Sequence, residues 1–256
     1  MQYWDFNDLY VPVLKTSSCR YDTYWVNRLV GSQTLVSYLT DVMNIQVHTL
    51  SISFTCSINL PRNVVDWVMS RQGSVHSLQL LGEHCDEREL HYVLDKCKVK
   101  DFLYLGVPTN DSFQRNISVQ LNRIYLTCTP WLTIDHLLSI DSCVIVTRDT
   151  AFTNQDMNRF LKSWANGNHP RLRMIELQME PIQIEVLTAG LDGRVVRRGQ
   201  QRPFVISEEV TFQISDSWDI QRDRAASILG YETEYGPSKM FSMVVWPDFE
   251  GNVYEL

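Results

Sequence analysis

"TNQDMNRFLKSWANGNHPRLRMIEL", Thr153–Leu177, holds a helix, both of its ends and the strand that follows. Thr153 offers a side-chain oxygen to the unpaired N–H groups of a first helical turn, and Asp156 sits three residues on, near the positive end of the helix dipole. Met157, Phe160, Leu161 and Trp164 recur at i, i+3, i+4 and i+7, which makes one apolar stripe. Gly167 can take the left-handed position past the helix end, and Pro170 forbids continuation. Leu172-Arg-Met-Ile-Glu-Leu177 then sets its apolar residues in the order L-x-x-L-x-L.

The same unit recurs upstream. Leu90, Val93, Leu94 and Cys97 form a stripe after a start at Asp86, with Glu89 three residues later. Val64, Trp67 and Val68 follow Pro61, and Ile134, Leu137 and Leu138 follow Thr133. Between these helices lie short apolar segments of one form: Val47-His-Thr-Leu-Ser-Ile52, Val75-His-Ser-Leu-Gln-Leu80 and Leu121-Asn-Arg-Ile-Tyr-Leu126. Leu103-Tyr-Leu105 and Val144-Ile-Val146 are partial copies. A period of ~20 to 30 residues is the spacing of leucine-rich repeats. A strand with a returning helix cannot bury its apolar side alone, so such units stack into a parallel sheet backed by helices.

After Pro181 the pattern changes. Ile182–Leu191 suits one more helix, and "RVVRR", "RPFVISEEVTFQIS", "WDIQRDRAASI" and "MFSMVVWP" alternate apolar and polar residues as strands of an antiparallel meander do. Near the start, Leu35, Leu39, Val42 and Met43 suit a helix from about Ser32. The expected fold class is therefore α/β. A leucine-rich-repeat-like stack with a parallel sheet occupies residues 35–191 and a β-rich C-terminal module residues 192–256, while residues 1–34 form an aromatic-rich segment without an assignment.

Composition narrows the function. The 256 residues carry a net charge of −7 and are 44% apolar. An acidic surface opposes nucleic acid, whose affinity rests on phosphate neutralisation by Lys and Arg. No basic n-region with an apolar core opens the chain, and no apolar run reaches the ~20 residues of a membrane span. The six cysteines are scattered without CxxC pairing, as free thiols in a reducing compartment are, so an intracellular protein, cytoplasmic or nuclear, is expected.

Few residues suggest chemistry. His84, Cys85, His91 and Cys97 are possible metal ligands by type, but no short paired spacing anchors them and Cys97 lies on an apolar stripe. Asp135-His136 has no nucleophile partner, there is no G-x-S-x-G elbow, and eleven glycines without a GxG leave no phosphate cradle. Trp67, Trp164 and Trp246 sit at core positions. No catalytic residue, metal or cofactor is expected. What remains is surface. Strand alternation points Gln79, Tyr104, Arg123, Tyr125, Glu176 and Gln178 away from the helices, and Tyr and Arg are enriched at binding hot spots. Arg194, Arg197, Arg198 and Arg202 make one basic cluster that could grip an acidic peptide or other anion.

Taken together, "SYLTDVMN", "NVVDWVMSRQGSVHSLQL", "WLTIDHLLSIDSCVIV", the Thr153–Leu177 stretch, "WDIQRDRAASI" and "FSMVVWP" resemble the type 2 F-box-associated domain, a family expanded in nematodes. The resemblance runs over about residues 35 to 247. It implies intracellular proteins in which an N-terminal F-box docks on the adaptor of a cullin-type ubiquitin ligase and the associated domain captures protein substrates. It implies no catalytic residues. Where the family has an Asp-Gly turn this chain has Asp223-Arg224, so a different turn is expected. Residues 1–34, with only "VPVLK" as an echo, do not supply the Leu- and Pro-rich helical F-box; the adaptor is an expected partner only if the natural chain carries one. The leading expectation is a protein–protein interaction module for substrate recognition. A free-standing decoy or regulatory factor is the alternative, and a metal-dependent hydrolase using His84, Cys85 and His91 stands third.

Overall fold

The computed structural model describes residues 2–6, 9–17, 21–54, 60–110, 113, 115, 120–196, 202–207, 210–214, 216–221, 224–230, 232–233 and 236–247. The aromatic-rich start is a three-stranded antiparallel meander of β1 (Gln2–Phe6), β2 (Leu9–Lys15) and β3 (Tyr21–Thr23). It leads into α1 (Arg28–Met43). That helix begins earlier than its apolar residues suggest because the Asn27 side chain accepts from the N–H groups of Leu29 and Val30 at 3.0 and 3.2 Å. Phe6 ties the meander to it by meeting Tyr38 edge-on at 5.5 Å and Trp25 at 5.7 Å. Trp25 in turn lies against Gly31, where an added Cβ would come within 2.2 Å of the ring.

Strands and helices then alternate: β4 (Thr49–Ser53), α2 (Leu60–Arg71), β5 (Val75–Leu81), α3 (Glu87–Lys96), β6 (Val99–Gly106), β7 (Arg123–Leu126), α4 (Ile134–Ser139), β8 (Val144–Phe152), α5 (Asn154–Ala165), β9 (Met174–Met179) and the short α6 (Ile184–Leu187). From β4 to β9 the strands pair in parallel and in chain order. Their register aligns Leu50, Leu78, Leu103, Ile124, Ile145 and Ile175 in one ladder, and Ile52, Leu80, Leu105, Leu126, Thr147 and Leu177 in the next. Every one of these is buried, in a core that also takes Val65, Val68, Leu90, Val93, Leu137, Met157, Phe160, Leu161 and Trp164 from the helices. A slip of one residue would turn a ladder to the other face, so the apolar pattern fixes the register.

The helix ends largely follow the sequence. Thr153 and Asp156 form a reciprocal capping box on α5, Thr133 and His136 form another on α4, and Gly167 has φ 102°. On α3 the cap is Asp86, whose carboxylate accepts from the Arg88 N–H at 2.9 Å. Glu89 does not close a box there. It reaches α2 instead, accepting from Arg62 at 2.8 Å, while the Arg62 guanidinium lies 3.8 Å from the centre of the Tyr92 ring.

The C-terminal strands are β10 (Gly193–Val196), β11 (Arg202–Ser207), β12 (Val210–Ile214), β13 (Ser217–Gln221), β14 (Ala225–Leu229), β15 (Glu232–Thr233), β16 (Gly236–Pro237) and β17 (Met240–Val245). They are antiparallel, and four of them continue the parallel sheet: β17 bonds to β9, and β14, β13 and β10 follow outward, giving ten strands in all. Ile175, Met243, Ile228 and Trp218 carry the inner ladder across the junction. β11 and β12 stand outside this sheet as a separate hairpin. Asp223 of the expected turn lies outside the described residues; Arg224 beside it donates to the Pro170 carbonyl at 2.8 Å.

Candidate binding face

Every second residue of the parallel strands points away from the helices. The register gathers these residues into two rows. One runs Ser51, Gln79, Tyr104, Tyr125, Val146 and Glu176, and the other Thr49, Ser77, Phe102, Arg123, Val144 and Met174. Gln79, Tyr104, Tyr125 and Glu176 therefore share a row, Arg123 stands in the second, and Gln178 lies two residues beyond Glu176. All six expected contact residues are on one face.

They are not equally available. The Glu176 carboxylate accepts from Arg148, and the Gln178 side chain accepts from the Asp149 N–H at 3.1 Å. The hydroxyl of Thr150 donates to the Gln178 carbonyl. These bonds hold the irregular end of β8, where pairing with β9 shifts between Thr147 and Phe152 and Asp149 takes φ 56°. Glu176 and Gln178 thus serve the fold first.

At the other end the face is aromatic. Phe102 meets Tyr125 edge-on at 5.2 Å, and the Arg123 guanidinium lies 5.1 Å from the Phe102 centroid. Arg123 donates to Asp101 at 2.7 Å, and so does the Asn122 amide. Burial raises the Asp101 carboxyl, but the hydrogen bonds and charge of its partners outweigh burial and hold it below the usual carboxylate value. Beyond Asp101 the His76 and His48 rings stack at 4.3 Å. Phe102 was legible, since it sits two residues before Tyr104. The histidine stack was legible from His48 and His76 holding the same position in two copies of one segment, whereas no such pattern signals Asp101.

Where β9, β17 and β14 cross, the same face is covered. Phe204 and Ile214 of the hairpin pack with Met174, Val244 and Trp246. The expected arginine cluster divides accordingly: Arg202 places its guanidinium 4.4 Å from the Trp246 ring, Arg194 is exposed on the edge strand β10 opposite Asp219, and Arg197 and Arg198 lie outside the described residues.

The possible metal ligands go elsewhere. His91 stacks on Phe113 at 4.7 Å. Burial pushes the Cys85 thiol up to about 11, with Glu87 and Asp86 adding to it, and burial alone does the same to Cys97. A thiol so raised supplies little thiolate near neutral pH. Among the described residues no three His, Cys, Asp or Glu side chains converge as a metal-holding group. Asp135 pairs with Arg159 at 2.8 Å and His136 serves the α4 cap. Trp164 and Trp246 are buried, and Trp67 is partly buried against the main core. Among the described residues no helix is long and apolar enough to cross a membrane.

Comparison with known proteins agrees with the motifs. An uncharacterized protein of Caenorhabditis elegans is 24% identical over 120 residues, which is 47% of this chain and 27% of the relative. The Skn-1 dependent zygotic transcript 15 protein of the same nematode is 27% identical over 185 residues, 68% of this chain and 52% of the relative. A second uncharacterized protein of that species is 21% identical over 166 residues, 62% and 39% respectively. The chain thus spans about half or less of the length of the curated relatives it matches. No solved structure matches it. The model of the F-box associated family matches residues 112–177, so the resemblance carried by the motifs holds from the segment ahead of β7 into β9.

Proposed function

We propose that this chain is a protein-interaction module that holds a protein partner against the strand face of β5 to β8. The observation that carries the reading is the pair Tyr104 and Tyr125, which are cross-strand partners and half-exposed, with Phe102 edge-on against Tyr125 on the same face. Rings held in register by a rigid sheet lose little freedom on binding, which is why aromatic anchors dominate interfaces. The in-order parallel pairing of β4 to β9 supports a leucine-rich-repeat-like architecture, in which strand faces form one continuous surface. The match to the F-box associated family supports a finer reading by analogy: the partner is a substrate captured for a cullin-type ubiquitin ligase, and the mechanism is recruitment without chemistry. Such a protein works inside the cell.

Replacing Tyr104 and Tyr125 together by Ala is expected to weaken partner capture by about 1–3 kcal/mol while thermal unfolding still shows a folded chain. Binding by titration and circular dichroism on the same preparations check both halves. Unchanged affinity would remove the strand face as the binding surface. Adding the ligase adaptor to the natural full-length protein separates the finer reading, which requires the captured partner to be brought into the ligase assembly through an F-box.

A further inference from the structure

The chain's own fold shows how this face is covered. Over β9, β17 and β14 a second layer of strand lies on it: Phe204, Ile214, Met174, Val244 and Trp246 are each 5% exposed or less. Phe204 and Trp246 meet edge-to-face at 5.2 Å. Over β5, β6 and β7 the face keeps Gln79, Phe102, Tyr104 and Tyr125 half-exposed. Both halves belong to one sheet, so a layer laid on the second would continue the layer laid on the first.

Charge decides what such a layer can be made of. Arg123 is already matched to Asp101 at 2.7 Å, and Arg148 to Glu176. The rings thus lie between two ion pairs that neutralise themselves. A charged partner would meet groups whose charge is already matched and gain little from them, whereas an uncharged apolar strand need only displace water. Shape agrees. The Tyr104 ring lies back along β6 over Gly106, where an added Cβ would come 2.5 Å from the ring, so the ring takes the space that a side chain at Gly106 would fill. Twisted sheets pack face to face on a second layer of strands at ~10 Å with their side chains interleaved.

We infer that the open half of the strand face takes a short extended segment of a partner protein, apolar at alternate positions and without net charge, laid beside the β11–β12 hairpin as the continuation of that layer. This rests on the strand face being the binding surface. The test is a displayed library of random peptides of roughly twelve residues, long enough to cross several strands. It is selected on the immobilised full chain and compared with Tyr104→Ala/Tyr125→Ala.

The expected winners alternate Val, Ile, Phe or Tyr with small polar residues, lose binding in the double variant, and change affinity less than about three-fold between ~0.05 and ~0.5 M salt. Tyrosine-dependent winners of strong net charge, whose affinity falls about ten-fold or more over that range, would overturn the inference while leaving the binding face in place. So would winners with apolar residues at helical spacing, or a selection that yields no binder. Winners held equally well by the double variant would sink the strand face itself.

Discussion

Gly106 governs the posture of Tyr104. Its backbone is not among the left-handed positions, and the atoms that an added Cβ would meet are the far end of the Tyr104 side chain. Gly106→Ala therefore asks one ring to lift and leaves the backbone alone. Stability should stay within about 0.5 kcal/mol of the parent, as surface changes do, while affinity for a strand-face ligand falls about ten-fold. Thermal melts and a binding titration run side by side check this; a melt that drops together with affinity would show that the ring braces the fold. The same scale explains why the six contact positions read from alternation are unequal. Alternation says where a side chain points, and the register sets all six on one face. It does not say whether a neighbouring strand has already engaged the side chain, as Arg148 engages Glu176 and the Asp149 backbone engages Gln178.

Among the elements, α5 is the one whose ends and buried stripe were most fully legible. Its cap is local, with Thr153 accepting from the Asp156 N–H and donating to the Asp156 carboxylate at 2.8 Å. Met157, Phe160, Leu161 and Trp164 are all fully buried. Thr153→Ala should cost about 0.5–2 kcal/mol, read as a lower urea midpoint with an unchanged slope. A neutral result would mean that packing of the stripe alone sets the helix start. The start of α1 shows the opposite case. Its apolar residues are spread around the helix and only Gly31 is buried, so they could not locate an end that Asn27 supplies. Glu89 marks a third kind of outcome. The spacing after Asp86 is right for a capping box, but a partner on α2 outcompetes the local N–H, because a guanidinium makes a stronger, charge-assisted bond.

For the molecule as a whole, the question is which parts stand or fall together. The main core runs from β4 through the helices to β17, whereas the hairpin rests on a satellite cluster around Trp246. Phe204→Ala should release the hairpin and leave the ten-stranded sheet intact, because the loss of a fully buried Phe, about 3–5 kcal/mol in a core, falls on that small cluster. Hydrogen exchange should speed up in residues 202–207 and 210–214 while the β4–β9 amides keep their protection. Global loss of protection would instead make the hairpin part of the main cooperative unit.

By itself the sequence determined the strands from β4 to β9, their inner and outer faces, the parallel run with its helices on one side, and most helix ends. Each of these depends on residues within a few positions of one another, through the periods of helix and strand and the reach of a capping side chain. Only the tertiary structure decided that the C-terminal strands extend the same sheet, that the first residues form a meander on α1, and that a hairpin covers one half of the strand face while Phe102, Tyr104 and Tyr125 on the other stay half-exposed. Those outcomes join segments far apart in the chain, and an apolar strip records that it must be covered without recording by what.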